Sequence, residues 1–436
     1  MQNKGDRILR IATIVGLAIA VGLTVAVLVN NSSFNSRLGG PNDNTDLVVM
    51  TRQDFEKYRQ FEQLVVMQDA VRQIYYGETD DKMMLDGAAT GLIAGLGDPY
   101  SMYYPGNTYQ KMLDADKGEY GGIGTMFSID LEPFKCEVIR VFKGSPAEQA
   151  GIQPGDILVS VNGKRYTTMQ ELQSMIEELR GEKGTTVTVR LSRGGQEKEY
   201  TLARSHIVEN RVDSTMLEDG IGYILLYEFA GNCAEEFEKE LDGLINSGAK
   251  CVIVDLRGNP GGWVEAAVQI GDLFLDEGDL CYVKYKDGAE HHDFKTKDGH
   301  RDVSLVVLIN EDSASASEIL AGALRDRAQT PIVGVRSFGK GIIQAAMPIG
   351  NSGAGMQLTV GEYFTPSGYA VNGNGIEPDY KVEHQKDIVY RFADTETDPQ
   401  LKKALEIARN KIAKPSAGMS GKPTGGAEND EGSGTE

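Results

Sequence analysis

The chain has 436 residues, 40% of them hydrophobic and 25% charged, which is room for two or three compact domains of ordinary composition. Its formal net charge of −20 argues against nucleic acid, whose phosphates need a basic surface, and against electrostatic adsorption to anionic lipid. Four dispersed cysteines (Cys136, Cys233, Cys251, Cys281) have no metal-ligand spacing, so no structural disulfide, metal site or cofactor is expected.

In chain order, Ile8 to Val29 is apolar apart from Arg10, Thr13 and Thr24, long enough to cross a bilayer as one helix. Lys4, Arg7 and Arg10 lie at its start and Asp43 and Asp46 follow it, so the positive-inside rule puts the rest outside the cytoplasm. No small-residue cleavage site follows in Asn30-Asn-Ser-Ser-Phe34, which favours an uncleaved signal anchor over a cleaved signal peptide. The expectation is therefore a single-pass protein of the cell membrane: residues 1–30 as stub and anchor, 31–50 as a linker, and the body on the extracytoplasmic side.

Residues 51–117 read as a helical region. Phe55, Tyr58, Phe61, Val65 and Val66 recur at helical spacing within Asp54 to Tyr76, and Asp81 to Leu96 forms a second helix. Gly97-Asp-Pro-Tyr-Ser101 ends it, because proline disfavours helix in the residue before it.

Residues 118–204 form a module of short strands. Strands are expected at Ile123 to Ile129 and Cys136 to Phe142, a short helix within Gly144 to Gly151, and a strand and turn in Gln153 to Gly163. Met169 to Arg180 is amphipathic, and Thr186 to Leu202 is a hairpin around Gly194-Gly195. The run Pro154-Gly-Asp-Ile-Leu-Val-Ser-Val-Asn-Gly163, with Tyr120-Gly-Gly-Ile-Gly124 before it, resembles a PDZ domain of the circularly permuted bacterial kind. Amides around Gly122, Ile123 and Gly124 can hold a peptide carboxylate while the adjoining strand accepts the peptide by β-addition.

From Ile221 strands and helices alternate: Ile221 to Phe229, Ala234 to Ile245, Cys251 to Leu256, Val264 to Phe274, Leu280 to Tyr285 and Leu305 to Asn310. Ala316 to Arg327, Ile332 to Val335, Gly341 to Pro348 and Met356 to Phe364 complete an α/β core with a mixed sheet, residues 205–382. A helical segment (383–413, with Asp398 to Ala413 helical) and a Gly/Ser/Glu-rich tail (414–436) close the chain.

The chemistry concentrates in two segments. Ser313-Ala-Ser-Ala-Ser-Glu318 places serines where a strand gives way to a helix, and Ser315 lies directly before the helix body. There the positive helix end and the next amide favour developing negative charge. Phe338-Gly-Lys-Gly-Ile-Ile-Gln344 sets a lone lysine between two glycines. Desolvated lysine loses its charge more readily and can serve serine as a base in place of histidine. These two segments, with Asp255-Leu-Arg-Gly-Asn-Pro-Gly-Gly262, resemble the C-terminal processing (tail-specific) peptidases. The resemblance spans about Asp54 to Tyr380. It implies a crotonase-like spiral core with an inserted PDZ domain, Ser315 as nucleophile, Lys340 as base, Gln344 as its orienting group, and the amides of Gly261 and Ala316 as an oxyanion hole. It also implies protein substrates with exposed apolar C-termini, PDZ-controlled access, a regulatory partner at the PDZ domain, and N-terminal helices packed on the core or on a second subunit of a homodimer.

Other readings are an inactive membrane-tethered PDZ scaffold, a crotonase-type acyl-CoA enzyme, and a metal or histidine site at His291-His292-Asp293 with His300. The intact Ser315, Lys340 and Gln344, the PDZ module and the unsuitable histidine spacing respectively disfavour them.

Overall fold

The structure is a computed structural model, and it describes residues 50–413 apart from 117, 132–133, 169–170, 298, 300 and 385–391. The apolar segment Ile8 to Val29 lies outside the described residues. Among those that are described, no helix is long and apolar enough to cross a membrane. The chain divides into two units, one ending at Leu85 and one beginning at Asp86.

In the first unit the single helix expected over Asp54 to Tyr76 is two, α1 (Arg52–Arg59) and α2 (Glu62–Ile74), with a break at Gln60 and Phe61. The Thr51 hydroxyl caps α1 by accepting the Asp54 N–H at 3.2 Å. Phe55, Tyr58, Phe61, Val65 and Val66 are all exposed in the single chain. Periodicity found an apolar stripe, but a stripe does not say what covers it. A third helix, α3 (Asp81–Ala94), follows.

Among the described residues, the second unit is built on four sheets. Strand β1 (Met102–Tyr104), helix α4 (Thr108–Asp116) and strand β2 (Glu119–Gly122) lead into the PDZ-like module, and the sequence reading named neither strand. The module's antiparallel sheet runs in the order β3 (Thr125–Leu131), β4 (Phe134–Val141), β5 (Ile157–Val161), β6 (Thr186–Arg193) and β7 (Gln196–Ala203), so β3 is an edge. Short helix α5 (Pro146–Gln149) and helix α6 (Leu172–Leu179) complete it around Val138, Val161, Met175, Val187 and Val189. Strand β8 (Ser205–Val208) pairs with β2 and closes the module's base.

The core sheet has β9 (Val212–Met216) antiparallel to β10 (Ile221–Leu226), then β11 (Cys251–Asp255), β14 (Ser304–Ile309), β15 (Ile332–Gly334) and β18 (Tyr380–Lys381), all parallel from β10 on. Val252 and Val254 of β11, with Leu305, Val307 and Ile309 of β14, face one cluster with helices α7 (Cys233–Asn246), α8 (Val264–Asp272) and α9 (Ala316–Ala328). Their alternates Cys251, Ile253, Val306 and Leu308 pack with Leu401, Ala404 and Leu405 of helix α10 (Pro399–Ala413). Strands covered on both faces read as unbroken apolar runs, which is why these two were legible without alternation.

The last sheet joins β1, β12 (Gly278–Tyr285), β13 (Glu290–Thr296), β16 (Ile342–Pro348) and β17 (Gly355–Phe364). Strand β16 pairs along one edge of β17, and β1 (at Gly355 to Gln357) and β12 (at Gly361 to Phe364) share the other. The module and the core also touch through one buried cation. Arg140 of β4 donates to the Asn210 carbonyl at 2.7 Å and to Asp213 at 3.2 Å, with its guanidinium 3.5 Å over the Tyr227 ring.

Candidate functional site

Parallel strands β11 and β14 deliver their loops to the same edge of the core sheet, the position at which α/β folds bind ligands. The loop after β11 begins at Asp255, which is buried and accepts the Tyr223 hydroxyl at 2.6 Å and the Arg257 backbone N–H at 2.9 Å. The Arg257 guanidinium bridges Asp255 (2.6 Å) to Asp398 (2.7 Å). Burial alone would lower its pKa, but the two carboxylates outweigh burial and raise it. This ion pair fixes where the chain turns toward Gly261.

Gly261 packs directly against the serine segment. A β-carbon there would stand 2.6 Å from the Ala314 carbonyl, 2.7 Å from Ser315 Cβ and 2.9 Å from the Ala316 nitrogen, and its φ is +99°. Only glycine fits both the space and the backbone angle. Its own N–H donates to Asn259 Oδ1 at 2.9 Å, so this amide is engaged within the protein. The Ala316 N–H begins α9, where helix geometry provides no acceptor four residues back.

The structure separates the three serines. The Ser313 hydroxyl donates to the Leu256 carbonyl at 2.8 Å and the Ser317 hydroxyl to the Asn259 carbonyl at 3.0 Å, and both residues are fully buried. Ser315 is only partly buried and takes φ 54°, ψ −116°. A non-glycine residue at positive φ costs on the order of 1–3 kcal/mol and persists only where its surroundings enforce it. Here they do.

Glu318, almost wholly buried, is the enforcing group. Its carboxylate accepts the N–H groups of Ser315 (2.9 Å), Lys340 (2.9 Å) and Gly339 (2.7 Å) and the Ser337 hydroxyl (2.5 Å). Burial pushes its pKa up against these four bonds. The Tyr363 hydroxyl of β17 ties the same pair from the other side, donating to the Lys340 carbonyl at 2.7 Å and reaching the Ser315 carbonyl at 3.2 Å. Sequence reading passed over both. The Ser-x-x-Glu spacing of a capping box could have flagged Glu318, whereas nothing local marks Tyr363.

Lys340 is partly buried, and burial lowers its pKa while Asp98 and Glu318 oppose the shift. Its Nζ lies 4.8 Å from the Tyr100 ring centroid and, among the described residues, is not hydrogen-bonded to Ser315. Gln344 sits where a bulge interrupts the β16–β17 ladder and reaches Thr359 Oγ1 at 3.4 Å, rather than the lysine. Ser315 and Lys340 are thus tied through their shared partners Glu318 and Tyr363, with Gly261 against Ser315 and Ala316, whereas Gln344 reaches Thr359 instead. That arrangement can do acyl transfer: a hydroxyl, an amine of lowered basicity and amides at a helix start.

In the module, Ile123 and Gly124 line a cavity of about 280 Å³ between β3 and α6, with Phe127, Phe142, Met175 and Leu179. Gly122 is placed outside it, paired with Ser205 in the β2–β8 ladder. His291 pairs with Asp287 and His292 with Asp279 on a hairpin. No metal-holding group of His, Cys, Asp or Glu occurs among the described residues, which do not include His300.

Comparison with known proteins gives three family matches: peptidase family S41 over residues 220–382, a PDZ domain over 137–191, and the N-terminal domain of the activating protease CtpB over 26–108. The carboxy-terminal processing protease CtpA of Bacillus subtilis is 35% identical over 74% of this chain and 69% of its own. The carboxyl-terminal-processing protease of Picosynechococcus is 36% identical over 72% of this chain and 77% of its own. An S41 protease structure from Bacteroides fragilis, 17% identical, covers 78% of this chain and 94% of its own with a TM-score of 0.55, a likeness of fold.

Proposed function

As a member of peptidase family S41 the chain is a serine-type carboxy-terminal processing protease, and we propose that it works from the extracytoplasmic face of the cell membrane, held there by residues 1–30 as an uncleaved anchor. Its core is read as the crotonase-like spiral, with the domain limits drawn above and a homodimer formed through the N-terminal helices.

In this reading Lys340, neutral, takes the Ser315 proton as Oγ attacks a peptide carbonyl. The oxyanion forms against the Ala316 amide and against the Gly261 amide once that exchanges Asn259 for substrate, each donor contributing on the order of 3 kcal/mol. Lys340 then protonates the leaving amine and later activates the water that clears the acyl-enzyme. Gln344 orients the lysine through β16. The observation that carries the reading is the strained φ of Ser315, enforced by a buried carboxylate that binds the Lys340 backbone as well.

The edge strand β3 and the apolar cavity beside it support β-addition of a substrate's apolar C-terminus, or of a regulatory partner's tail, at Ile123 and Gly124. Arg140, buried between module and core, is a route by which occupancy there would reach the dyad.

The test is to incubate the full-length chain, Ser315→Ala and Lys340→Ala with an unfolded protein that ends in apolar residues, and to follow cleavage by mass spectrometry. Cleavage by the wild type that both variants lose is expected. Cleavage surviving in Ser315→Ala would remove the assignment.

A further inference from the structure

The loop Gly97 to Ser101 reaches Lys340 from a part of the chain that the resemblance left without a role. It is stapled to β17 on three sides. Ser101, nearly buried, accepts the Thr359 N–H at 3.0 Å; the Gln357 side chain donates to the Tyr100 carbonyl at 3.2 Å; and β1 pairs with β17 from Met102 onward. Within the loop Asp98 fixes the turn, accepting the Tyr100 N–H at 3.0 Å and the Ser101 hydroxyl at 2.6 Å. The Tyr100 ring is thereby held under the Lys340 ammonium, 4.8 Å from its centroid. The same strand β17 carries Thr359, the Gln344 partner, and Tyr363, which holds the Lys340 carbonyl.

We propose that Asp98 and Tyr100 are positioning residues for Lys340: Asp98 fixes the turn of the loop, and the Tyr100 ring that it holds seats the Lys340 ammonium in the resting site. The inference rests on the reading of Lys340 as the base. Four groups act on this lysine: Asp98 and Tyr100 from the loop, Glu318 from α9, and the Tyr363 hydroxyl from β17. Glu318 is committed to four backbone and hydroxyl donors. Asp98 is the other carboxylate, and bonds to Ser101 and Thr359 keep it ionised below the usual carboxylate range. An anion and an aromatic face both favour the charged form of an amine, opposing the burial that lowers its pKa. Removing either lets Lys340 deprotonate at lower pH.

The experiment compares full-length wild type, Asp98→Asn, Tyr100→Leu, Tyr100→Phe and Lys340→Ala on an internally quenched peptide ending in Val-Val-Ala with a free carboxylate. The quantity read is kcat/KM at a fixed pH on the acid limb, divided by each variant's own alkaline plateau. Asp98→Asn and Tyr100→Leu should raise that ratio about threefold, and Tyr100→Phe, which keeps the ring, should hold the wild-type ratio. A merely structural role lowers the plateau and leaves the ratio alone.

Amine acylation of Lys340 at the same fixed pH, read by mass spectrometry, reports its ionisation without turnover and should rise by the same factor. It decides the question for any variant whose turnover is too low to profile. Unchanged ratios and labelling in both variants, with Lys340→Ala inactive, would overturn the seat while leaving the base assignment standing. A change in one alone would remove the other residue from it. Activity retained by Lys340→Ala with an unaltered pH profile would overturn the base itself, and the seat with it.

Discussion

Ser315 occupies a backbone conformation that serine avoids, and the residues that force it there also define what can be changed. Gly261 is the least tolerant position. Gly261→Ala meets the Ala314 carbonyl at 2.6 Å and must hold φ near +99°, so kcat should fall at least about a hundredfold, with a lowered Tm. Turnover at the wild-type level would show that this amide takes no part. Lys340 allows a sign to be worked out. Its folded pKa lies below the unfolded value because burial disfavours the charge, so below both values the ammonium costs stability in full, and the cost fades as pH rises toward the unfolded pKa. Lys340→Met should therefore abolish cleavage yet raise Tm at neutral pH, by a margin that shrinks as pH rises toward about 10 and is gone above it. A margin that grows with pH would contradict the burial argument.

At the level of elements, the turn after β11 depends on an ion pair that is itself buried. Arg257 joins Asp255, which is 2% exposed, to Asp398 at the start of α10. Arg257→Met leaves two carboxylates without their cation and should cost on the order of 3–5 kcal/mol in urea unfolding. A change under about 1 kcal/mol would mean that α10 docks without it. Strand β3 is an edge, with unpaired backbone groups beside an apolar cavity. Adding a peptide with a free apolar C-terminus should slow amide exchange across Thr125 to Leu131, and no protection there would count against β-addition.

Across the whole molecule, module and core form one unit joined through Arg140, whose side chain is 8% exposed between Asp213 and Tyr227. Arg140→Leu should weaken the dependence of cleavage rate on added C-terminal peptide, measured as the ratio of stimulated to basal kcat. A ratio equal to wild type would remove this contact from the route. The anchor makes a separate prediction: the full-length chain should stay with membranes through alkaline carbonate washing and be open to protease added to spheroplasts. Release by the wash would contradict a spanning segment.

The sequence by itself determined the order of modules, the core strands and the family. Continuous apolar runs such as Cys251 to Leu256 and turn signals such as Pro154-Gly-Asp156 act over a few residues, and the site motifs are short. It also singled out Ser315 among three serines, by its place directly before the helix body and by resemblance; the fold adds that Ser313 and Ser317 spend their hydroxyls on buried carbonyls. What only tertiary structure decided are contacts between residues distant in the chain. Tyr363 meets Ser315 and Lys340, Gly261 meets Ala316, Gln344 reaches Thr359, and Tyr100 comes to Lys340 from over two hundred residues away. None of these pairings leaves a periodic trace, because each is made by strands and loops brought together by packing.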